Sequence, residues 1–328
     1  MSENGFKFDT VGLGGTREFG ILEEYNKLAQ SKCRPFNRIT IEGDVLTKTP
    51  VDAQGIKLAK REAAWYEKAK NLNIPELPKI YETSPLKMEF IKGRNIYDCD
   101  FDYDIKRNIL ESLVNALKSL HNSASVASDS FSINEAYFNK TMSRLASIQD
   151  LIPFARDREI VINGKKCRNV YYYKRELEQK LDALKVNCKS FDFIHGDCTF
   201  SNLMVREDNS PVLIDPRGYF GYSELYGDPR YDWAKLYYSI VGNYDQFNLK
   251  RFRLEIGDSQ ENGVSLKLES NHWESLEKDF FELTGCDEYE IKLLHAVIWL
   301  SLTTYAWQDY DSICGAFYNG LLYLEDVL

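Results

Sequence analysis

The sequence lacks a surplus of positive charge. Its 328 residues carry 41 Lys and Arg against 50 Asp and Glu, which gives a formal net charge of -9. Nucleic acids and anionic lipid surfaces both attract proteins through an excess of Lys and Arg. We therefore predict neither nucleic acid nor a membrane as a partner, and we expect a small molecule or another protein instead.

Paired cysteines and long apolar runs are also missing. The seven cysteines form no CxxC pair and have no histidines beside them at metal-ligand spacing. Reduced thiols, and a start (MSENGFKFDT) without the apolar segment of a signal peptide, favour a cytoplasmic location. The most apolar stretch, IKLLHAVIWLSLTTYAW, contains Lys292 and His295 and falls short of the roughly 20 apolar residues of a membrane span. We interpret it as a buried helix.

The first part of the chain has the pattern of a small β-sheet carrying one helix. Residues 36–50, FNRITIEGDVLTKTP, predict a hairpin, GIKLAKREAAWYEKAKNL predicts a helix, and PKIYETS and PLKMEFIKG predict short strands. Beyond Gly93 the pattern becomes mainly helical, beginning with DIKRNILESLVNALKSLHN. We predict an α+β protein of two lobes, residues 1–92 and 93–328, with residues 1–25 as a poorly defined lead.

The stretch FDFIHGDCTFSNLMVREDNSPVLIDPRG carries the strongest chemical signal. Its apolar runs LMV and VLI flank the turn-forming EDNS, which predicts a β-hairpin. Symmetric pairing places Asn202 opposite Asp215 at the open end, where an amide oxygen and a carboxylate suit a Mg²⁺ ion. Asp197, on the loop before the hairpin, is suited to orient and deprotonate a substrate hydroxyl. The pattern therefore predicts phosphoryl transfer.

These residues resemble a known superfamily. His195, Gly196 and Asp197 with Asn202 match the HGDxxxxN catalytic loop of the aminoglycoside phosphotransferases and choline kinases, and the IDP segment at Asp215 matches their metal-binding aspartate. The fold of that superfamily is similar to that of protein kinases. The resemblance implies that Asp197 is the catalytic base, that Asn202 and Asp215 hold Mg²⁺, and that His195 braces the loop.

The resemblance extends to nucleotide contacts. It implies that Lys48, on the second predicted strand, contacts the donor phosphates and that Glu62, fourteen residues later, holds this lysine. Glu67 is a rival for Glu62 on the same helix. The backbone near Glu89 and Ile91 matches the hinge that bonds the adenine.

The glycine-rich residues 11–20, VGLGGTREFG, do not predict the phosphate site. Arg17 stands where a GxGxxG pattern needs glycine, and no strand precedes it, so a Rossmann dehydrogenase is a weak alternative. We expect the backbone amides and cations of the segment with Ser31, Lys32 and Arg34 to cover the triphosphate.

The substrate side of the site is less defined. Arg217 could contact a transferred phosphate or an anionic acceptor, or it could pair with Asp228 or Asp232, and we keep all three as tentative substrate residues. The acidic run YDCDFDYD would favour a cationic acceptor beside the cleft, although acidic residues also cluster at helix starts, which is our preferred interpretation. IDPRG followed by GDPRYD is similar to superfamily members that serve surface-polysaccharide precursor pathways.

We predict a kinase that moves the γ-phosphate of ATP, or of GTP, with Mg²⁺ to a hydroxyl of a small molecule. The expected acceptor is a sugar, an amino sugar or an amino alcohol. One alternative is a catalytically silent nucleotide-binding module that regulates a partner. Another is a protein kinase, against which the missing APE-type segment counts. The identity of the acceptor and the oligomeric state stay open.

Overall fold

The computed structural model describes residues 37–259, 262–306 and 309–328. The predicted lead and the predicted phosphate cover at Ser31, Lys32 and Arg34 lie outside these residues.

The first described part is an antiparallel sheet of four strands in the order β1-β2-β4-β3, with one helix beside it. Gly43 has φ +60° in the two-residue turn between β1 and β2, a conformation that glycine adopts without strain. The Asp52 carboxylate accepts a hydrogen bond from the Gly55 N–H at 2.6 Å and so caps the helix. The elements are β1 (Asn37–Glu42), β2 (Val45–Pro50), α1 (Ala53–Ala69), β3 (Ile80–Thr83) and β4 (Leu86–Glu89).

The rest of the described chain is mainly helical. Its helices are α2 (Tyr103–Ser123), α3 (Ser130–Asn134), α4 (Lys140–Ile148), α5 (Lys174–Asn187), α6 (Pro229–Ile240), α7 (Tyr244–Asn248), α8 (Glu277–Thr284), α9 (Glu288–Leu302) and α10 (Tyr310–Glu325). A π-helical turn, Glu135–Asn139, joins α3 to α4. The small β-sheet part followed by a helical part is the α+β fold expected from the sequence.

Short strands also run through this helical part. They are β5 (Gly93–Asn95), β6 (Ser125–Ala127), β7 (Glu159–Ile162), β8 (Lys165–Arg168), β9 (Ser190–Phe193), β10 (Leu203–Arg206), β11 (Pro211–Leu213), β12 (Tyr219–Phe220), β13 (Ser223–Glu224), β14 (Tyr226–Gly227), β15 (Phe252–Ile256) and β16 (Val264–Leu268). A four-stranded sheet, β15-β16-β7-β8, was not expected from the sequence. Strand β5 pairs with β10, and a division of the lobes between residues 92 and 93 stays a prediction.

The apolar helix interpretation is confirmed for α9, most of whose residues are buried. No described helix is long and apolar enough to cross a membrane. The acidic run, residues 97–104, crosses the start of α2, where the Asp102 carboxylate accepts from the Ile105 N–H at 2.9 Å and caps the helix, in line with the preferred interpretation.

One hydrophobic cluster joins the small sheet to the segment that carries the HGD loop. Trp65 of α1 is fully buried and belongs to the same cluster as residues of α2, β10 and β11. Its indole N–H donates to the Ile194 carbonyl at 2.7 Å, and its ring stacks on Phe193 with centroids 5.1 Å apart. Helix α1 is therefore fastened to the strand that leads into the HGD loop.

The predicted hairpin of β10 and β11 forms, but its register is shifted by one residue. Strand β10 pairs with β11 so that Leu203 faces Leu213, and the Ile214 N–H donates to the Asn202 carbonyl at 3.0 Å. Asn202 thus lies opposite Ile214, and the predicted pairing with Asp215 is wrong. The cause is Asn209, which has φ +65° and gives the hairpin a three-residue loop.

Candidate active site

Lys48 of β2 lies between two carboxylates. Its Nζ is 3.0 Å from Oε1 of Glu62 on α1 and 2.7 Å from Oδ1 of Asp215, which follows β11. Burial alone would lower the pKa of Lys48, but attraction by Asp215 and Glu62 outweighs it and leaves this pKa raised. The rival Glu67 instead accepts a hydrogen bond from the Thr83 hydroxyl at 2.8 Å. We call Lys48, Glu62 and Asp215 the donor-side triad.

Glu62 is the member of the donor-side triad whose ionised form is disfavoured by burial. It is 7% exposed. Burial raises its pKa to about 7, and the neighbouring charge of Asp215 adds to the rise while Lys48 opposes it. Glu62 therefore depends on Lys48 to stay ionised near neutral pH.

Asp215 reaches Lys48 because its backbone is in the left-handed region, with φ +55°. Aspartate tolerates this conformation better than most residues. About 40% of its side chain is exposed to solvent while its Oδ1 contacts Lys48.

The HGD loop is held by a carboxylate beneath it. Asp232 of α6 is fully buried and accepts hydrogen bonds from the N–H groups of His195 at 2.8 Å and Gly196 at 2.6 Å. Its Oδ2 also lies 3.0 Å from Nε2 of His121. Gly196 has φ +81°, which favours glycine at this turn. Asp232 therefore positions the loop.

His195 is buried inside the loop. Its Nδ1 accepts a hydrogen bond from the Asp197 N–H at 3.3 Å. Burial lowers the pKa of His195 although Asp232 and Asp197 oppose this, which favours the neutral imidazole at pH 7. The contact agrees with the bracing function implied by the resemblance.

Asp228 and Asp232, which the sequence offers as tentative substrate residues, are both buried and already have partners within the protein. Asp228 is 1% exposed, caps α6 and forms a salt bridge with Arg230 at 2.8 Å. Asp232 accepts from the His195 N–H and lies beside Nε2 of His121.

Asp197 meets two side chains. Asn202 Nδ2 donates to the Asp197 carbonyl at 2.8 Å and to Oδ2 at 3.1 Å, while Lys235 Nζ lies 3.0 Å from Oδ1. Burial alone would lower the pKa of Lys235, yet the charge of Asp197 keeps it above its usual value. About 22% of the Asp197 side chain is exposed, so the carboxylate is accessible from the cleft.

Sequence reasoning missed Lys235. The available signal was its position three residues after Asp232, which places both side chains on the same face of α6. On that face, the carboxylate of Asp232 holds the HGD loop, and the ammonium of Lys235 contacts Asp197 of the same loop.

Arg217 lies against the same loop. Its N–H donates to the His195 carbonyl at 2.8 Å. Its guanidinium donates to the hydroxyls of Tyr231 at 3.1 Å and Tyr219 at 2.8 Å. The guanidinium carbon of Arg61 of α1 lies 4.3 Å from the centroid of the Tyr219 ring.

The predicted hinge is partly occupied by the sheet. The Glu89 N–H is not available to an adenine, because it donates to the Lys79 carbonyl at 2.9 Å. Within the described chain, the Ile91 N–H has no hydrogen-bond acceptor. A carbonyl followed two residues later by an N–H can pair with the edge of a purine.

The donor set at the mouth of the hairpin fits a hard divalent cation. Asn202 turns its NH₂ group to Asp197, which leaves its amide oxygen as a ligand atom, and Asp215 directly follows Ile214, whose N–H donates to the Asn202 carbonyl. In the described part of the chain, no three His, Cys, Asp or Glu side chains form a metal cluster. Mg²⁺ is commonly held by one or two protein oxygens plus substrate phosphates, so two ligands suffice.

The sequence matches one family of known proteins. A family model described as the phosphotransferase enzyme family matches residues 43–261, about two thirds of the chain. A comparison with curated proteins by sequence gives no match.

Solved structures share the fold at low identity. A choline kinase from Streptococcus pneumoniae is 13% identical, with 90% of this chain and 91% of that chain covered and a TM-score of 0.52. A glucosamine kinase is 10% identical, with 88% and 72% covered and a TM-score of 0.52. A choline/ethanolamine kinase family protein from Mesorhizobium loti is 12% identical, with 89% and 86% covered and a TM-score of 0.50.

Proposed function

The chain belongs to the phosphotransferase enzyme family, and we propose that it transfers the γ-phosphate of ATP, or of GTP, to a hydroxyl of a small molecule. Phosphoryl transfer needs charge neutralisation on the donor and a positioned base on the acceptor. The observation that carries the proposal is the joint position of Lys48, between Glu62 and Asp215, and of Asp197, tied to the same hairpin through Asn202.

Each group has a defined task in this proposal. Lys48 binds donor phosphate oxygens, and Glu62 fixes the direction of the ammonium. Asn202 and Asp215 would hold Mg²⁺, which supplies positive charge to the donor phosphates when bound. The Glu89 carbonyl and the Ile91 N–H meet the adenine edge.

Asp197 takes the proton of the acceptor hydroxyl at Oδ1 or Oδ2. Its exposed edge faces the cleft, and Asn202 and Lys235 fix its orientation. A base within hydrogen-bond reach of a hydroxyl accelerates transfer by about 10²–10⁴-fold. His195 and Asp232 keep the loop in place behind it.

The test is a coupled measurement of ADP release with ATP, Mg²⁺ and a panel of neutral sugars, amino sugars, amino alcohols and sugar phosphates. A surface-polysaccharide precursor belongs in the same panel, and GTP replaces ATP in a parallel series. Release that depends on one acceptor supports the kinase.

The catalytically silent module predicts nucleotide binding without release for every acceptor. Incorporation of phosphate into a protein substrate rather than into any small molecule would favour a protein kinase. A cytoplasmic location is part of the proposal and is tested separately by cell fractionation.

A further inference from the structure

Three cations converge on one buried ring beside the catalytic loop. The Nζ atoms of Lys140 and Lys235 lie 5.8 and 5.9 Å from the centroid of the Tyr231 ring, and Arg217 donates to the hydroxyl of that ring at 3.1 Å. Tyr231 is 5% exposed. Lys140, Arg217 and Lys235, which we call the acceptor-side cations, come from α4, from the segment after β11 and from α6.

The charge of Lys140 is not balanced by a carboxylate of the described chain. Lys235 has Asp197 as its counter-charge at 3.0 Å. Lys140 is half-buried, and none of the carboxylates in the described chain lies within salt-bridge distance of its ammonium. Burial lowers the pKa of Lys140 well below its usual value, and the charges of Arg217, Arg144 and Lys235 lower it further against Glu135. A buried excess of like charge costs stability unless a ligand neutralises it.

The cluster lies beside the base. Lys235 contacts Asp197 directly, and the Arg217 backbone is bonded to His195, whereas Lys48 contacts Asp215 and Glu62. A charge bound between Lys140 and Arg217 therefore belongs to the molecule that presents its hydroxyl to Asp197. The π-helical turn directly before Lys140 agrees with a ligand site, because such turns are frequent at functional sites.

We propose that the acceptor is a hydroxy compound that carries an oxyanion, either phosphate or carboxylate, and that Lys140, Arg217 and Lys235 bind this oxyanion. The assignment of the anion to the acceptor rests on the proposed kinase function. An arginine fork presents two donors to two oxygens of one anion, and each lysine adds a compact positive charge.

The same charges act against cationic acceptors. Choline, ethanolamine or an amino sugar would bring a positive charge toward three others, and like-charge contacts at short range are unfavourable. Among the acceptors of the proposed function, sugars and polyols with a phosphate or a carboxylate are therefore selected over amino alcohols and amino sugars.

The experiment measures binding by isothermal titration in the absence of ATP. The probes are inorganic phosphate, glucose 6-phosphate, glucuronate, glucose and choline, and the proteins are wild type, Lys140→Gln, Lys48→Gln and Lys267→Gln. Lys267 is an exposed lysine of β16, which makes it a matched control. Thermal unfolding of each variant establishes that it is folded.

We expect the anionic probes to bind and glucose and choline not to bind. Lys140→Gln should weaken anion binding about tenfold, the effect of one charged contact, while Lys48→Gln and Lys267→Gln change it by less than about twofold. Glucose 6-phosphate and glucuronate separate a phosphate preference from a carboxylate preference.

Three results overturn the inference. They are binding of choline without binding of anions, no anion binding at all, and anion binding lost in Lys48→Gln but kept in Lys140→Gln, which would place the anion on the donor side. Failure of the kinase is a different result. Anion binding that depends on Lys140 in a protein that never releases ADP contradicts the proposed function alone, whereas ADP release with choline and no anion binding contradicts this inference alone.

Discussion

The two sides of the cleft place lysine in opposite surroundings. Lys48 on the donor side has two carboxylates within 3.0 Å, and its pKa is raised above the usual value. Lys140 on the acceptor side has cations around it, and its pKa is lowered. Where the fold supplies the counter-charge, the lysine is kept ionised before any ligand binds. Among the described residues, the fold supplies no such counter-charge to Lys140, and we infer that the ligand supplies it.

Asp197→Asn should have the largest effect. The substitution removes the proposed base and the counter-charge of Lys235, while the donor-side triad keeps its contacts. We expect kcat to fall by about 10²–10⁴-fold with nucleotide affinity unchanged. The measurement combines turnover with nucleotide titration, and Asp182→Asn, an exposed aspartate of α5, is the control. Turnover retained in Asp197→Asn would sink the assignment of the base.

Lys48→Gln tests the donor side in the same way. The substitution removes a charged contact to the donor phosphates and leaves Glu62 beside Asp215 without a cation. We expect kcat/KM for ATP to fall about 10–100-fold, with most of the change in KM for ATP. Lys87→Gln, in the neighbouring strand β4, is the control. Equal kinetics for the two variants would show that Lys48 does not bind the donor.

The donor side could be read from the sequence more fully than the acceptor side, and the reason is physical. Lys48, Glu62 and the HGD loop lie in short patterns whose spacing is set by one strand, one helix or one turn. Lys140 comes from α4 and its ammonium lies over the ring of Tyr231 of α6, and no local pattern records that contact.

Two other misses have local causes. The hairpin register differs by one residue from the predicted one, because Asn209 adopts the left-handed conformation. The symmetry of the apolar pattern does not predict that conformation. Strands β7, β8, β15 and β16 have four or five residues each, too few for a period to stand out. The sequence therefore predicted the order of a small sheet followed by helices, and it did not predict these short strands.

Glu62→Gln should sharpen the contrast through pH. The pKa of Glu62 is raised from 4.5 to about 7 by burial first and then by Asp215, against Lys48. Between these values the folded state holds more protons than the unfolded state, so the stability of the wild type falls as pH rises through this window. We expect the variant to gain about 1–2 kcal/mol relative to wild type across it.

Thermal unfolding at a series of pH values measures this gain. The matched control is Glu67→Gln on the same helix, since Glu67 is exposed and its pKa is lowered, by hydrogen bonds from Lys70 and Thr83. That control should show no gain between pH 4.5 and neutrality. A Glu62→Gln variant that follows the wild type at every pH would mean that the two carboxylates of the triad are fully compensated by Lys48.

Lys140→Met should have the smallest effect, and it should raise the free energy of unfolding rather than lower it. Because burial and the charges of Arg217, Arg144 and Lys235 outweigh Glu135, the folded pKa of Lys140 lies below its usual 10.5. The unfolded state then binds more protons in this window, so the stability of the wild type rises with pH until it reaches the ordinary lysine value. We expect Lys140→Met to be more stable than wild type by about 1 kcal/mol near neutral pH, with the advantage shrinking as pH rises.

Lys267→Met should show neither effect, and phosphate should stabilise the wild type more than Lys140→Met. A loss of stability in Lys140→Met at neutral pH would mean that the fold does compensate this lysine, and the contrast between the two sides of the cleft would fail at its acceptor end.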